Sequence, residues 1–370
     1  MQDIYISGTG VWTPPYKVSN DELVESFNSY VEIYNKDNSQ QIADGSIEAL
    51  EPSSTEFIVK ASGIKNRYVI DKDSLLNPRI MKPIIEARAD DSLSLCAEIS
   101  VLAANQALEN ARLNASDIDA VIVSTANLQR AYPAIAIEVQ NELGIEGYAY
   151  DMMVGCSSTT FGISNAYSDI ASGKASKILV INPEITSAHN NYKSRDSHFI
   201  FGDVCTAAVI EKNSSSPNKF KILSTKLKTQ FSNNIRNNFG FMNAIENKDY
   251  TEQELLFVQN GRSVFKEVMP MVASLITDHL QENNLASQDI EQYWLHQANI
   301  NMNTYVVKKL LGDDFPPERA PNVLEEYANT GSAGSLISFH KYNHLKPGQK
   351  GIICSFGAGY SICSILVEKK

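Results

Sequence analysis

The 370-residue sequence lacks several features that mark whole classes of protein. It has no run of about 18 uncharged apolar residues, which argues against a membrane-spanning helix. Its first residues do not combine a basic segment with an apolar run, so we expect no signal peptide. The five cysteines are an odd number without a CxxC pair, as is typical of reduced thiols in a cytoplasmic protein. Without a phosphate-binding glycine loop or a cluster of metal ligands, we expect no metal and no organic cofactor.

Positive charge is also scarce. The chain has 32 Lys and Arg against 43 Asp and Glu, a net charge of −11 and a pI near 5.1. Such a chain gains little from nucleic-acid phosphates, so we expect no nucleic-acid partner. An acidic protein partner would need a local basic patch.

The sequence contains an internal repeat. Residues 101–127 match residues 273–299 at a constant offset of 172, for example Leu108 with Leu280 and Asp117 with Asp289. Each copy has helical periodicity, then a polar turn, then a β-rich run. A second pair of similar strands begins at Phe201 and at Phe356. We predict a duplicated α/β fold with halves at residues 1–214 and 215–370, joined by the polar segment 211–219.

Two stretches interrupt this pattern. Residues 26–54 are polar and residues 72–91 carry prolines and mixed charge. We expect both insertions to lie on the surface or over the entrance to a site.

The segment around Cys156 is the first candidate for chemistry. An apolar strand leads to Gly155, Cys156 and a run with helical spacing. At such a turn, unpaired backbone N–H groups and the helix dipole lower the pKa of a thiol. The alternative is a small buried residue, the usual role of cysteine. That role suits Cys96, Cys205, Cys354 and Cys363, which lie in apolar patterns.

Three later segments add further candidates. His296 and Asn299 follow the predicted strand that ends at Leu295, at the sheet edge where ligands and catalytic groups collect in α/β folds. Asn329 lies in a turn of small residues, and Ala358 lies in a glycine-bracketed turn. Each segment alone is also compatible with a purely structural role.

Together, in this order, the four segments resemble the thiolase-fold condensing enzymes, specifically β-ketoacyl-acyl-carrier-protein synthase III. The resemblance implies a Cys156–His296–Asn329 triad and an oxyanion hole formed by the N–H groups of Cys156 and Ala358. It also implies a five-layered αβαβα architecture and a homodimer. Degradative thiolases carry a second cysteine in the C-terminal turn and elongating ketosynthases a second histidine, and this chain has neither.

The resemblance extends to substrate contacts. It implies that Phe57 and Arg195 grip the adenine of coenzyme A, that Asn299 contacts substrate, and that Tyr132 reaches across the dimer to the partner's acyl pocket. An arginine that helps dock the carrier protein in familiar members is Asn301 here. The remaining candidates for docking are three lysines, which also fit a solvated helix face: Lys266, Lys308 and Lys309.

The expected reaction is acyl transfer from acyl-CoA to Cys156, followed by decarboxylative condensation with malonyl-acyl carrier protein in fatty acid biosynthesis. We expect a primer longer than acetyl because of the two insertions, although a bulky Tyr132 also suits a short primer. Two alternatives stay open: a specialised condensing enzyme or acyltransferase of secondary metabolism, and a non-catalytic partner that sets chain length.

Overall fold

The computed structural model describes residues 3–237 and 255–370 of the chain. The α-helices are α1 (Asn20–Asp37), α2 (Ser39–Ala43), α3 (Thr55–Ser62), α4 (Lys72–Leu76), α5 (Leu95–Ala111), α6 (Ile135–Leu143), α7 (Ser158–Ala171), α8 (Gly261–Glu282), α9 (Ile300–Leu311), α10 (Leu324–Tyr327) and α11 (Gly334–Lys341). The strands are β1 (Ile4–Trp12), β2 (Tyr16–Ser19), β3 (Asn66–Val69), β4 (Ala120–Ser124), β5 (Tyr148–Met152), β6 (Lys177–Glu184), β7 (Val204–Lys212), β8 (Phe220–Thr229), β9 (Ile235–Arg236), β10 (Val258–Gln259), β11 (Ile290–Leu295), β12 (Lys350–Gly357) and β13 (Ser361–Lys369).

The main sheet shows the duplication directly. Its strand order is β11-β12-β13-β8-β1-β7-β6-β4-β5. Outward from β1, the strands β7, β6 and β4 run antiparallel, antiparallel and parallel to their inner neighbours. Outward from β8, the strands β13, β12 and β11 repeat these directions. Two residue pairs between β1 and β8 join the halves into one nine-stranded sheet.

The repeated sequence segments occupy equivalent places. The first copy forms α5 and β4, and the second forms α8 and β11. Between helix and strand, each half has a short 3₁₀ turn in which Asp117 or Asp289 accepts a hydrogen bond from a backbone N–H, that of Asn114 (2.8 Å) or Ala286 (2.7 Å). The repeat is therefore structural. The exact boundary at residues 214 and 215 stays a prediction, within the connection from Lys212 to Phe220.

Three hydrophobic clusters define the layers. The central cluster places α7 and α11 between strands of both halves. A second cluster packs α5 and α6 on the outer face of the first half, and a third packs α8 and α9 on the outer face of the second half. Successive strand residues alternate between layers, for example Ile178 toward the centre and Leu179 toward α5. This αβαβα arrangement confirms the predicted fold class.

The first insertion is largely helical. It contains most of α1, which begins with a capping box of Ser19 and Glu22. Leu23, Phe27 and Val31 of α1 join a fourth cluster together with α3, β3 and residues 192–201. The insertion therefore packs on the loop that carries Arg195. In the described part of the chain, no helix combines the length and the apolar character needed to cross a bilayer.

Candidate active site

Cys156 lies at the predicted turn from strand to helix. Strand β5 ends at Met152, a 3₁₀ turn spans Gly155–Ser157, and α7 starts at Ser158. Gly155 has a φ of +54°, which favours glycine, and its Cα faces Ala358. Cys156 is only partly buried, whereas the other four cysteines are buried in the core.

The C-terminal turn after β12 packs directly on the nucleophile. A Cβ placed on Gly357 would lie 2.5 Å from Cys156 Cβ and 3.0 Å from its Sγ. The backbone N–H groups of Ala358 and of Cys156 itself act on the Cys156 sulfur as hydrogen-bond donors. The structure thus brings together the two donors expected for an oxyanion hole.

The electrostatics of the thiol differ from the expectation. Burial, reinforced by the negative charge of Glu184, raises the pKa of Cys156 to about 12, while the two backbone donors lower it. The cost of desolvating a thiolate outweighs the helix N-terminus here. Cys156 therefore rests as a neutral thiol and has to lose its proton when it reacts.

His296 directly follows strand β11. Its backbone N–H donates to the Cys354 carbonyl (2.8 Å), and its ring packs edge-on against Phe356 with centroids 5.3 Å apart. The side chain is 2% exposed and Nδ1 has no hydrogen-bond partner. Burial lowers the pKa of His296 to about 4. The imidazole is thus neutral at pH 7, with one N–H donor and one acceptor nitrogen.

Asn329 is fixed by backbone hydrogen bonds to the segment before β7. Its N–H donates to the Ile200 carbonyl, and its carbonyl accepts from the Gly202 N–H, both at 3.0 Å. Its side-chain Oδ1 accepts from the Gly331 N–H (3.1 Å), which leaves the amide NH₂ as a donor. Asn329 lines a cavity of about 510 Å³ whose other lining residues include Phe57, Phe199 and Asn301.

Contacts through β12 and α7 connect the segments that carry the three candidate catalytic residues. Phe356 contacts His296, and the next two residues of the chain contact Cys156. Thr159, one turn after Cys156, donates a hydrogen bond to Ser332 in the turn that carries Asn329 (2.9 Å). The arrangement can hold a thioester between a nucleophile, an oxyanion hole and two further hydrogen-bonding side chains.

Phe57 lines this cavity, and Arg195 packs on its ring. The Arg195 guanidinium carbon is 4.2 Å from the centre of the Phe57 ring, and Arg195 Nε donates to the Pro52 carbonyl (2.8 Å). A base sandwiched between them needs roughly 7 Å, twice the contact distance of about 3.5 Å between carbon atoms. The two side chains therefore stack directly on each other and leave no room for a base between them. The Pro52 carbonyl of the first insertion holds Arg195 in this position. Its role in gripping adenine stays a prediction.

The remaining candidates are placed as follows. Asn299 caps α9, where its Oδ1 accepts from the Asn301 N–H (2.8 Å) and its Nδ2 donates to the Ala61 carbonyl (2.6 Å). Both ends of its amide are thus engaged, although it also lines the cavity. Tyr132 is 83% exposed.

The three lysines lie on two neighbouring helices that pack through Phe265 and Tyr305, whose ring centroids are 5.5 Å apart. Lys266 on α8 is exposed. Lys308 pairs with Asp313 (3.2 Å), and Lys309 lies over the Tyr305 ring (5.7 Å). Both helices also contribute residues to the cavity that Asn301 lines, and the role of the three lysines in docking a carrier protein stays a prediction.

Sequence reasoning missed Glu184, a buried carboxylate at the end of β6 that influences Cys156. The available signal was a charged residue closing an apolar strand. Among residues 3–237 and 255–370, no three His, Cys, Asp or Glu side chains are grouped as a metal site requires. That the protein uses no cofactor stays a prediction.

Comparisons with known proteins identify related sequences. A 3-oxoacyl-[acyl-carrier-protein (ACP)] synthase III model matches residues 150–230, and the model of its C-terminal part matches residues 280–369. A beta-ketodecanoyl-[acyl-carrier-protein] synthase from Pseudomonas aeruginosa is 52% identical over 349 residues, covering 94% of this chain and 100% of the relative. A beta-ketoacyl-[acyl-carrier-protein] synthase III from Granulibacter bethesdensis is 27% identical, with full coverage of both chains.

The fold is also found among solved structures. A 3-oxoacyl-(acyl carrier protein) synthase III from Pseudomonas aeruginosa superimposes with a TM-score of 0.75 at 20% identity, over 99% of this chain and 98% of the other. Because the full-length similarity at 52% identity agrees with both matched models, the chain belongs to the 3-oxoacyl-[acyl-carrier-protein] synthase III family of acyl-transferring condensing enzymes of fatty acid synthesis.

Proposed function

We propose that this enzyme condenses an eight-carbon acyl primer, delivered as acyl-CoA, with malonyl-acyl carrier protein. The observation that carries the proposal is the 52% identity over the full length of a beta-ketodecanoyl-[acyl-carrier-protein] synthase. Condensation with a malonyl group adds two carbons and releases one as CO₂, so a ten-carbon product requires an eight-carbon primer. The same similarity favours fatty acid synthesis over a specialised secondary pathway.

In the first half-reaction, Cys156 attacks the carbonyl of the primer thioester. The N–H groups of Cys156 and Ala358 stabilise the oxyanion, the C–S bond to coenzyme A breaks, and the acyl group stays on Cys156. Because the pKa of the thiol is raised to about 12, its proton must leave during the attack. We assign His296, neutral through burial, as the group that accepts this proton and passes it to the departing sulfur of coenzyme A, which leaves as the free thiol.

In the second half-reaction, malonyl-carrier protein replaces coenzyme A. His296 and the free NH₂ of Asn329 donate hydrogen bonds to the malonyl thioester oxygen. The C–C bond to the carboxylate breaks and CO₂ departs. The electron pair of that bond stays on the thioester fragment and forms an enolate. The enolate carbon attacks the acyl carbonyl on Cys156, the C–S bond to Cys156 breaks, and the Cys156 thiolate takes a proton from solvent. Neither half-reaction calls for a metal or a redox cofactor.

A homodimer is part of the proposal. Strand β5 is the edge of the nine-stranded sheet, and its unpaired side offers backbone donors and acceptors. The segment beside it leaves Tyr132 83% and Met153 59% exposed. A second copy pairing at this edge would cover these side chains and place Tyr132 near the partner's acyl pocket. We also place the enzyme in the cytoplasm, in keeping with its unpaired thiols.

Lys266, Lys308 and Lys309 provide the basic surface for an acidic carrier protein. Exposed charges of this kind mainly affect association and salt dependence. Charge reversal at Lys308 and Lys309 should therefore raise the KM for malonyl-carrier protein, most strongly at low salt, and leave acyl loading from acyl-CoA unchanged.

Acyl loading tests the primer. Each buried methylene contributes about 0.8 kcal/mol, so six more than in acetyl offer at most about 5 kcal/mol of selectivity. Intact-protein mass spectrometry would follow acylation by acetyl-, butyryl-, octanoyl- and palmitoyl-CoA at equal low concentration, with Cys156→Ala as the control. The expected second-order rate is largest for octanoyl-CoA, and malonyl-carrier protein should then yield 3-oxodecanoyl-carrier protein. A maximum at acetyl, or an adduct on Cys156→Ala, would refute the proposal.

A further inference from the structure

Glu184 is a buried carboxylate that ties three parts of the active site together. It closes β6 and has no solvent exposure. Its Oε1 accepts hydrogen bonds from the Ala126 N–H (2.9 Å), from the Ser332 N–H (3.2 Å) and from the Ser332 hydroxyl. Ala126 follows β4, and Ser332 lies three residues after Asn329. The carboxylate thus connects two strand ends with the turn that carries a candidate catalytic side chain.

Ser332 continues this connection to the nucleophile helix. Its hydroxyl oxygen accepts from Thr159 Oγ1 (2.9 Å), and Thr159 lies on α7 three residues beyond Cys156. Glu184, Ser332 and Thr159 therefore form a continuous buried chain of hydrogen bonds between the two segments.

The turn itself is pressed against Glu184. Gly331 has a φ of +58°, and a Cβ at this position would lie 2.6 Å from Glu184 Oε2. The Gly331 N–H donates to Asn329 Oδ1 and so orients the Asn329 amide. Close packing and one hydrogen bond thus connect Glu184, through Gly331, to the side chain of Asn329.

The buried position of Glu184 is energetically unfavourable and also disfavours ionisation of Cys156. A buried carboxylate is unfavourable unless it is hydrogen-bonded, and only one of its two oxygens has a partner. Burial raises the pKa of Glu184 to about 7, and its ionised form raises the pKa of Cys156 and so opposes thiolate formation.

We propose that Glu184 and Ser332 are positioning residues for Asn329, and that they act on malonyl decarboxylation and not on acyl loading. The inference rests on the proposed role of Asn329 in the second half-reaction. Ser332 holds the turn by its hydroxyl, and Glu184 holds Ser332.

The test compares two serine variants of the same segment. Ser332→Ala removes the hydroxyl that bonds Glu184 and Thr159. Ser338→Ala, on α11, removes an equally buried hydroxyl that donates to the Pro321 carbonyl (3.1 Å). Decarboxylation of malonyl-carrier protein without a primer and acyl loading by octanoyl-CoA are measured separately, together with the melting temperature.

Ser332→Ala should lower the turnover number of decarboxylation by on the order of 10- to 100-fold, since a misplacement of 1 Å can cost about 10² in rate. Its acyl loading should not fall, and Ser338→Ala should change neither reaction by more than about twofold. Glu184→Gln keeps the side-chain shape and removes the charge. It should slow decarboxylation similarly, while acyl loading does not fall because the charge opposing the thiolate is gone.

A double-mutant cycle separates positioning from general stability. In an Asn329→Ala background, Ser332→Ala should cause no further loss of decarboxylation, because residues that act through one another are not additive. Additive losses, or equal losses in both half-reactions, would overturn the inference. Wild-type decarboxylation does not depend on the primer. If the wild-type protein fails to decarboxylate malonyl-carrier protein, the proposed function fails. If the wild-type protein decarboxylates malonyl-carrier protein and the Ser332→Ala and Glu184→Gln variants do so at the same rate, only the positioning role fails.

Discussion

The structure supports its most detailed prediction for the substitution Gly357→Ala. The new methyl carbon would lie 2.5 Å from Cys156 Cβ and 3.0 Å from Cys156 Sγ. Carbon atoms in contact normally stay about 3.5–4.0 Å apart. Since Cys156 Cβ is bound directly to its backbone, no flexible side chain can absorb the overlap. The turn from Gly155 to Ser157 and the end of β12 must separate by roughly 1 Å.

Two effects should follow from this separation. Overpacking typically costs about 1–3 kcal/mol of folding free energy. The displaced sulfur also loses its alignment with the N–H of Ala358, and a 1 Å error costs about 10² in rate. We therefore expect octanoyl loading to slow on the order of 100-fold while the enzyme remains folded.

The assay is the rate of acyl-adduct formation, followed by intact-protein mass spectrometry, with thermal unfolding in parallel. Ser338→Ala is the control, because Ser338 is buried on α11, donates its hydrogen bond to the Pro321 carbonyl and does not line the cavity. It should load octanoyl groups at the wild-type rate. Loading by Gly357→Ala within about threefold of wild type would show that the turn does not position the nucleophile.

Three further predictions address other parts of the molecule. His296→Ala and Asn329→Ala should lower the rate of malonyl decarboxylation by about 10²–10³, the usual cost of one oxyanion donor. Asn329→Ala should still load acyl groups at the wild-type rate, and full decarboxylation by either variant would remove that residue from this role. Arg195→Ala removes the guanidinium that stacks on Phe57, a contact worth roughly 0.5–2 kcal/mol. We expect a higher KM for acyl-CoA with little change in kcat, and unchanged kinetics would show that the nucleotide binds elsewhere. Burial lowers the pKa of His279 to about 4. Between pH 6.5 and 4 the unfolded chain therefore binds a proton that the folded chain does not, which costs about 2 kcal/mol of stability from pH 7 to pH 5. His279→Gln should show a correspondingly smaller drop in stability over this range, and equal drops would contradict the assignment.

Much of the active site followed from local sequence. The triad candidates and Ala358 were located because each lies in a short segment with its own turn or strand end, and their catalytic roles stay predictions. The pairing of Phe57 with Arg195 also followed from the resemblance. Their direct stacking did not, because the Pro52 carbonyl that holds Arg195 comes from the insertion. The two ends of that hydrogen bond are 143 residues apart.

The pKa of Cys156 shows the same limit more clearly. A strand-to-helix turn predicted a lowered value, and burial together with Glu184 raises it instead. Desolvation depends on every element packed around the sulfur, and no window of sequence around Cys156 contains that information.

The sequence by itself determined the duplicated fold and the chemistry of its segments. Periodic burial and turn residues act within a few positions of one another, so they can be read along the chain. Only the tertiary structure decided which charged and polar groups lie close together in space. Glu184 contacts Ser332 across 148 residues, and this contact links the nucleophile helix to the turn of Asn329. Electrostatic effects fall off with distance in space and not along the chain, so they become visible only once the strands and helices have packed.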